Sequence, residues 1–148
     1  MAQGPPAEWS ALGHVACAVD LNLYSEKALD WATRLAREFK AVLSLIHVVP
    51  RLDSSGEEHY SYEYHRKTAE AANRRIAQMQ SRLGTNAEVL LEAGKVARAV
   101  CAAVDRVHAD LLVIGRGLIE HPPTNWRLSI TNAGKSRRHW TFLRCSAA

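Results

Sequence analysis

The sequence lacks the features that mark disulfide-bonded, membrane-spanning and secreted proteins. Its three cysteines among 148 residues are odd in number and far apart, which suits neither a disulfide framework nor a paired-cysteine zinc site. Apolar stretches such as "AVLSLIHVV" are about half as long as a membrane span. The start, "MAQGPPAEWS", has neither the basic flank nor the apolar block of a secretion signal. We therefore expect a cytoplasmic protein with reduced cysteines and no membrane partner.

The positive charge of the chain is concentrated towards its carboxyl end. The formal net charge is +4, yet residues 1–115 carry 13 Lys or Arg against 14 Asp or Glu, whereas residues 116–148 carry six against one. Such an asymmetry can mark a contact with nucleic acid or phosphate. No motif of interleaved aromatic and basic residues accompanies it, so we expect a solvated basic segment and not a nucleic-acid partner.

Short apolar runs alternate with helical patterns along the chain. Four continuous apolar runs have the composition of strands buried on both faces of a sheet; they lie at 14–20, 41–50, 87–94 and 109–115. Apolar residues recur at helical spacing between these runs; the predicted helices lie at about 28–39, 63–82 and 97–107. No internal repeat is present.

This alternation predicts a parallel sheet covered by helices on both faces, with right-handed crossovers. We predict one domain over residues 1–148, a Rossmann-like, doubly wound, three-layer α/β fold with a mainly parallel sheet in the order 3-2-1-4 and room for a fifth strand. The predicted core consists of seven apolar strand residues: Val15, Ala18, Leu45, Ile46, Leu112, Val113 and Ile114.

Three of the predicted strands end at residues that should share one edge of the sheet: Asp20, Val48 and Gly115. In open α/β sheets, ligands bind beyond the carboxyl ends of the strands, where the strand order reverses. This edge is therefore the predicted place for a ligand.

Two segments resemble the universal stress protein family. "HVACAVDLNLYSEKALDWATRLAREFKAVLSLIHVVP" is similar to the first strand, helix and second strand of that family, and "GKVARAVCAAVDRVHADLLVIGRG" resembles the family too. The resemblance covers about residues 12–117. It implies an adenine-nucleotide α-hydrolase-like fold and a dimeric stress-response module that binds ATP or AMP, without catalysis beyond slow ATP hydrolysis and with magnesium only as a companion of ATP.

The resemblance also implies which residues hold the nucleotide. In nucleotide-binding members, ATP lies across the sheet edge, with the residue at the position of Asp20 beside it and the main chain at the position of Val48 against adenine. Phosphate is held by the motif Gly-x2-Gly-x9-Gly-Ser/Thr. Here Gly115 and Ser129 match the motif, whereas leucines replace its second and third glycines; these are Leu118 and Leu128.

The missing glycines matter because main-chain N–H groups must converge on a phosphate, and a β-carbon hinders both the backbone conformation and the approach. Gly117 is one residue early and Arg116 offers a positive charge, so a distorted phosphate site stays open. Pro122 and Pro123 oppose it, since a helix that should present its N-terminal amides would begin near them. We therefore expect weak or lost nucleotide binding.

The segment 116–148 departs from the family. The family continues with a fourth helix and a fifth strand, whereas "TNAGKSRRHWTFLRCSAA" offers only a strand candidate at 139–144. Alternating apolar and basic residues there predict a half-covered edge strand through which two copies pair. A disordered basic tail and a change of reading frame are the alternatives.

Other patterns suggest different chemistry, but their context opposes each one. "SITNAGKS" at 129–136 resembles a P-loop, yet only 12 residues follow it. His59 and His65 lie among acidic residues, but they lack helical spacing and we expect a surface loop there. We predict no metal site. For His47 and His108 we predict packing or capping and no catalytic role.

Two further functional classes stay open. An adenylating or ATP-hydrolysing enzyme of the α-hydrolase type would show a Ser-Gly-Gly-x-Asp-Ser loop after the first strand, and "AVDLNLYS" has no glycine. A dimeric scaffold without a ligand is the other class.

Overall fold

A computed structural model of the chain describes residues 12–21, 23–49, 58–115, 126–128 and 140–145. Their helices and strands follow one another in this order: β1 His14–Ala18, α1 Leu23–Phe39, β2 Val42–Val49, α2 Glu58–Leu83, β3 Glu88–Ala93, α3 Val96–Val107, β4 Leu111–Gly115, β5 Trp126–Leu128 and β6 Trp140–Cys145.

The described strands form one sheet in the order β3-β2-β1-β4-β6-β5. The first four pair in parallel, which confirms the predicted order 3-2-1-4 and the α/β class. Each parallel connection passes through a helix, as parallel strands require. In the described part of the chain, no helix has the length and the apolar character that a membrane crossing needs.

Alternate residues of each central strand pack into two separate apolar layers. In β1, Val15 and Cys17 face α1 and α2, whereas Ala16 and Ala18 face α3. This period of two follows from the pleat of a strand. All seven residues predicted for the core are between 0% and 4% exposed, and the prediction is confirmed.

Helix α2 begins earlier than predicted, at Glu58 instead of about Glu63. Its buried residues all lie in its second half: Ala72, Ile76, Met79 and Gln80. Residues 62–71 are exposed or half-buried and carry no apolar stripe, so the sequence pattern did not extend to the start of the helix. The surface loop expected at His59 was wrong, because α2 already includes that position.

The carboxyl-terminal strand is present, but its predicted position at the edge was wrong. β6 pairs antiparallel with β4 on one side and with β5 on the other. Because β5 adds a ladder outside β6, the strand expected to pair two copies is internal, and β3 and β5 are the outermost described strands. The strand beside β4 is thus antiparallel to the first four.

The three described helices end in the same backbone motif. In each motif, one residue donates its N–H to the carbonyl three residues earlier, and the residue that follows it donates its N–H to the carbonyl five residues earlier. This is the Schellman arrangement. The motif needs a left-handed residue; these residues are Lys40 (φ 53°), Gly84 (φ 64°) and His108 (φ 53°). Only α2 has the glycine that suits this conformation.

Replacing Lys40 or His108 by glycine should therefore stabilise the protein. Both residues are exposed, and their left-handed backbone costs a residue with a β-carbon about 1–2 kcal/mol. Glycine avoids this cost, but part of the gain is offset because glycine gives up more conformational entropy on folding. We expect Lys40→Gly and His108→Gly each to raise the free energy of unfolding by about 0.5–1 kcal/mol, measured by urea denaturation. Lys40→Ala is the control, since alanine keeps the β-carbon; an equal gain in that variant would contradict the explanation.

Candidate functional site

The register of β1 brings three strand ends to one edge of the sheet. Ala18 is paired with Ile46 of β2 and with Ile114 of β4. The connection from β1 leads outward to β2, whereas the connection from β3 returns to the other side of β1, so the strand order reverses between β1 and β4. Each of these three residues is followed within two positions by one predicted site residue; they are Asp20, Val48 and Gly115.

Asp20 lies two residues beyond the end of β1 and is exposed. Ser25, in the first turns of α1, accepts a hydrogen bond from the Asp20 N–H at 2.8 Å and donates its hydroxyl proton to Oδ1 of the same residue. Ser25 is only 2% exposed, so its hydroxyl is fixed by packing. The reciprocal pair orients the Asp20 carboxylate at the carboxyl edge.

The loop that carries Asp20 is held on both sides by residues of other elements. Nδ1 of His47, on β2, lies 2.7 Å from the carbonyl oxygen of Val19, and because a carbonyl only accepts, Nδ1 carries the proton. A guanidinium N–H of Arg75, on α2, donates to the carbonyl oxygen of Leu21 at 2.8 Å. Three consecutive residues of the loop are thus each tied to a different element.

Leu21 has a left-handed backbone conformation, with φ 68°. That region costs a residue with a β-carbon about 1–2 kcal/mol, and glycine would be the usual choice. Strain of this kind persists where surrounding contacts impose it. The hydrogen bonds to the neighbouring peptides supply such contacts.

The remaining predicted site residues fall into two groups. Val48 is 9% exposed and packs towards α3, and Gly115 ends β4, where it pairs with Trp140. Three lie outside the described residues; they are Arg116, Gly117 and Ser129. Leu128, which replaces the third glycine of the phosphate motif, lies in β5 opposite Leu143 of β6. Its backbone belongs to a ladder instead of a loop.

The described residues offer little to nucleophilic or metal chemistry. Cys17 is fully buried, and burial raises the pKa of its thiol to about 12. Burial, and then the charge of Asp105, raise the pKa of Cys101. Both thiols therefore stay protonated at neutral pH and are poor nucleophiles. The described chain contains no group of three His, Cys, Asp or Glu residues that could hold a metal ion.

Sequence reasoning missed the residues that position Asp20. Ser25 carried a usable signal, since hydroxyl residues at the start of a helical pattern often bond to the backbone there. His47 was predicted to be packed or capping, and its bond to the Val19 carbonyl agrees with that. Arg75 is separated from Leu21 by 54 positions, and no local pattern reports a contact of that range.

Removing the Ser25 hydroxyl should destabilise the fold measurably. We expect Ser25→Ala to lower the free energy of unfolding by about 1 kcal/mol, the net contribution of a typical hydrogen bond, because the Asp20 N–H loses its partner. Urea denaturation measures the change. Ser81→Ala, at an exposed position of α2, is the control and should change stability by less than about 0.5 kcal/mol. Equal stability of the two variants would contradict the role given to Ser25.

Comparisons with known proteins agree with this architecture. The model of the universal stress protein family matches residues 12–118, whereas no curated protein matches the chain. The fold is similar to that of a universal stress protein from Burkholderia pseudomallei, at 24% identity and a TM-score of 0.58, over 75% of this chain and 84% of that one.

Two further solved structures share the fold. UspA from Lactobacillus plantarum has 18% identity and a TM-score of 0.65, over 76% of this chain and 83% of that one. A universal stress protein in complex with cAMP has 20% identity and a TM-score of 0.54, over 69% and 75%. With a family match over most of its length and this fold, the chain belongs to the universal stress protein family.

Proposed function

We propose that the chain is a cytoplasmic stress-response binding module that binds an adenine nucleotide weakly and catalyses at most slow ATP hydrolysis. The observation that carries the proposal is the register of β1, which sets Asp20 level with the end of β2 and beside the end of β4. Open α/β sheets bind ligands at such a reversal of strand order.

Each part of the edge has a role in the proposal. The Asp20 carboxylate accepts hydrogen bonds from hydroxyl groups of the ligand, as acidic residues at this edge do for ribose. The main chain at Val48 meets the adenine ring. The phosphate end falls to the stretch that begins at Gly115, with Arg116 supplying positive charge, Gly117 a residue without a β-carbon and Ser129 a hydroxyl.

The phosphate end is the weaker half of the proposed site. Leu118 and Leu128 stand where the family motif has glycines, and the backbone of Leu128 is part of the β5–β6 ladder. A nucleotide with one phosphate depends less on this region than ATP does. AMP, and cAMP as found in one related structure, are therefore suitable ligands to compare with ATP, for which magnesium is added as the companion ion.

Calorimetric titration should find weak ATP binding. Two lost glycines should each cost on the order of 1–3 kcal/mol through blocked or unpaired phosphate contacts, so we expect a dissociation constant in the high micromolar range or no detectable binding. Asp20→Ala and Gly115→Val should weaken whatever binding is measured. Asp30→Ala, which removes an exposed carboxylate on α1, should leave it unchanged.

ATP binding with a low-micromolar dissociation constant would contradict the proposed loss at the phosphate end. Absence of binding by ATP, AMP and cAMP alike would favour the scaffold without a ligand. Rapid ATP turnover would favour the enzyme of the α-hydrolase type.

We also propose a homodimer. The sheet keeps an unshared edge at β3 in the described part of the chain, where the apolar residues are only partly buried; they are Val89, Leu90 and Leu91. An open edge can pair with another chain. Sedimentation equilibrium should therefore give a mass of about twice the 16.4 kDa of one chain. A mass of one chain at micromolar concentration would contradict the dimer.

A further inference from the structure

We infer that Arg75 of α2 is a positioning residue for the proposed nucleotide site. Its guanidinium holds the carbonyl of Leu21, and this contact keeps the neighbouring Asp20 presented at the carboxyl edge. The inference rests on the proposed function as far as the ligand is concerned, but the contact itself can be tested without a ligand.

The conformation of the loop needs support from outside the loop. The stretch "AVDLNLYS", from the last residue of β1 to the first turn of α1, contains no glycine, and yet Leu21 has φ 68°. A left-handed leucine is disfavoured by its own sterics. The Leu21 carbonyl belongs to the peptide that follows the α-carbon of this residue. A hydrogen bond to that carbonyl therefore favours the left-handed conformation directly.

The position of Arg75 on α2 makes the contact geometrically defined. Ala72 and Ile76 on either side of it are buried, at 3% and 1% exposure, so the backbone of this turn is fixed against the sheet. Arg75 itself is exposed. Its long side chain reaches from a rigid helix to the strained loop. This contact distinguishes it from a surface arginine whose side chain meets only solvent.

A second arginine of α2 fixes the helix to the start of α1. Nε and Nη2 of Arg82 donate to the two carboxylate oxygens of Glu26 at 3.0 and 2.9 Å, and this hydrogen bonding lowers the pKa of Glu26. Glu26 follows directly after Ser25, the residue that orients Asp20. Helix α2 thus contacts both the loop and the first turns of α1, and Arg75 is the part of that contact that reaches the loop itself.

The test compares Arg75→Met with Arg74→Met. Both variants keep an unbranched side chain and good helix propensity, and both remove one positive charge from neighbouring exposed positions of α2. Of these two arginines, only Arg75 is hydrogen-bonded to the described loop. A difference between the variants therefore reports the contact and not the change in net charge.

The first readout is hydrogen exchange in the absence of a ligand. The amide of Asp20 is protected by Ser25, so loosening the loop should expose it. We expect its exchange to become about 3- to 10-fold faster in Arg75→Met, the factor that corresponds to one net hydrogen bond, and to stay unchanged in Arg74→Met. Equal exchange in the two variants would overturn the inference.

The second readout is the affinity for AMP in the same two variants. We expect the dissociation constant to rise about 3- to 10-fold in Arg75→Met and to stay near that of the unmodified chain in Arg74→Met. If the unmodified chain binds no nucleotide, the proposed function fails, while the exchange result still decides whether Arg75 holds the loop. If exchange accelerates but the affinity for AMP is unchanged, the loop contact exists without serving the site, and the inference is overturned.

Discussion

The parallel pairing of β1 on both of its sides is the constraint on which the candidate site depends. The ladder with β2 and the ladder with β4 share Ala18 as a paired residue, so the ends of three strands are fixed relative to one another. A slip of one residue would turn every core side chain of β1 to the opposite face. The same pairing that buries the core therefore sets Asp20 at the edge where the strand order reverses.

The connection from β1 to α1 combines a strained backbone with hydrogen bonds from three other elements. Ser25 orients Asp20, His47 holds the carbonyl of Val19 before it and Arg75 holds the carbonyl of Leu21 after it. Without a glycine in this connection, its shape depends on tertiary contacts more than on local preference. In the proposed site, a carboxylate held in this way would need little rearrangement when a ligand arrives, which would lower the cost of binding.

The parts of the fold that follow from local pattern were predictable from the sequence. Continuous apolar runs gave the four parallel strands, and residues such as Leu45 and Leu112 are buried as predicted. The start of α2 was missed because no residue between 62 and 71 is buried and the apolar pattern is absent there. The place of β6 was missed because pairing order at a sheet edge leaves no local pattern. The contact of Arg75 depends on tertiary geometry in the same way.

Amide chemical-shift mapping during an AMP titration tests whether the ligand binds at the carboxyl edge beside β1, as proposed. We expect the shifts to concentrate on residues 19–21, 48–49 and 115, which the register brings to one edge. The amides of Gly13 and Asp110, at the opposite edge of the sheet, serve as the internal comparison. The Asp110 carboxylate caps that end of the sheet. Shifts centred at that opposite edge, or spread evenly over the sheet, would contradict the proposed site.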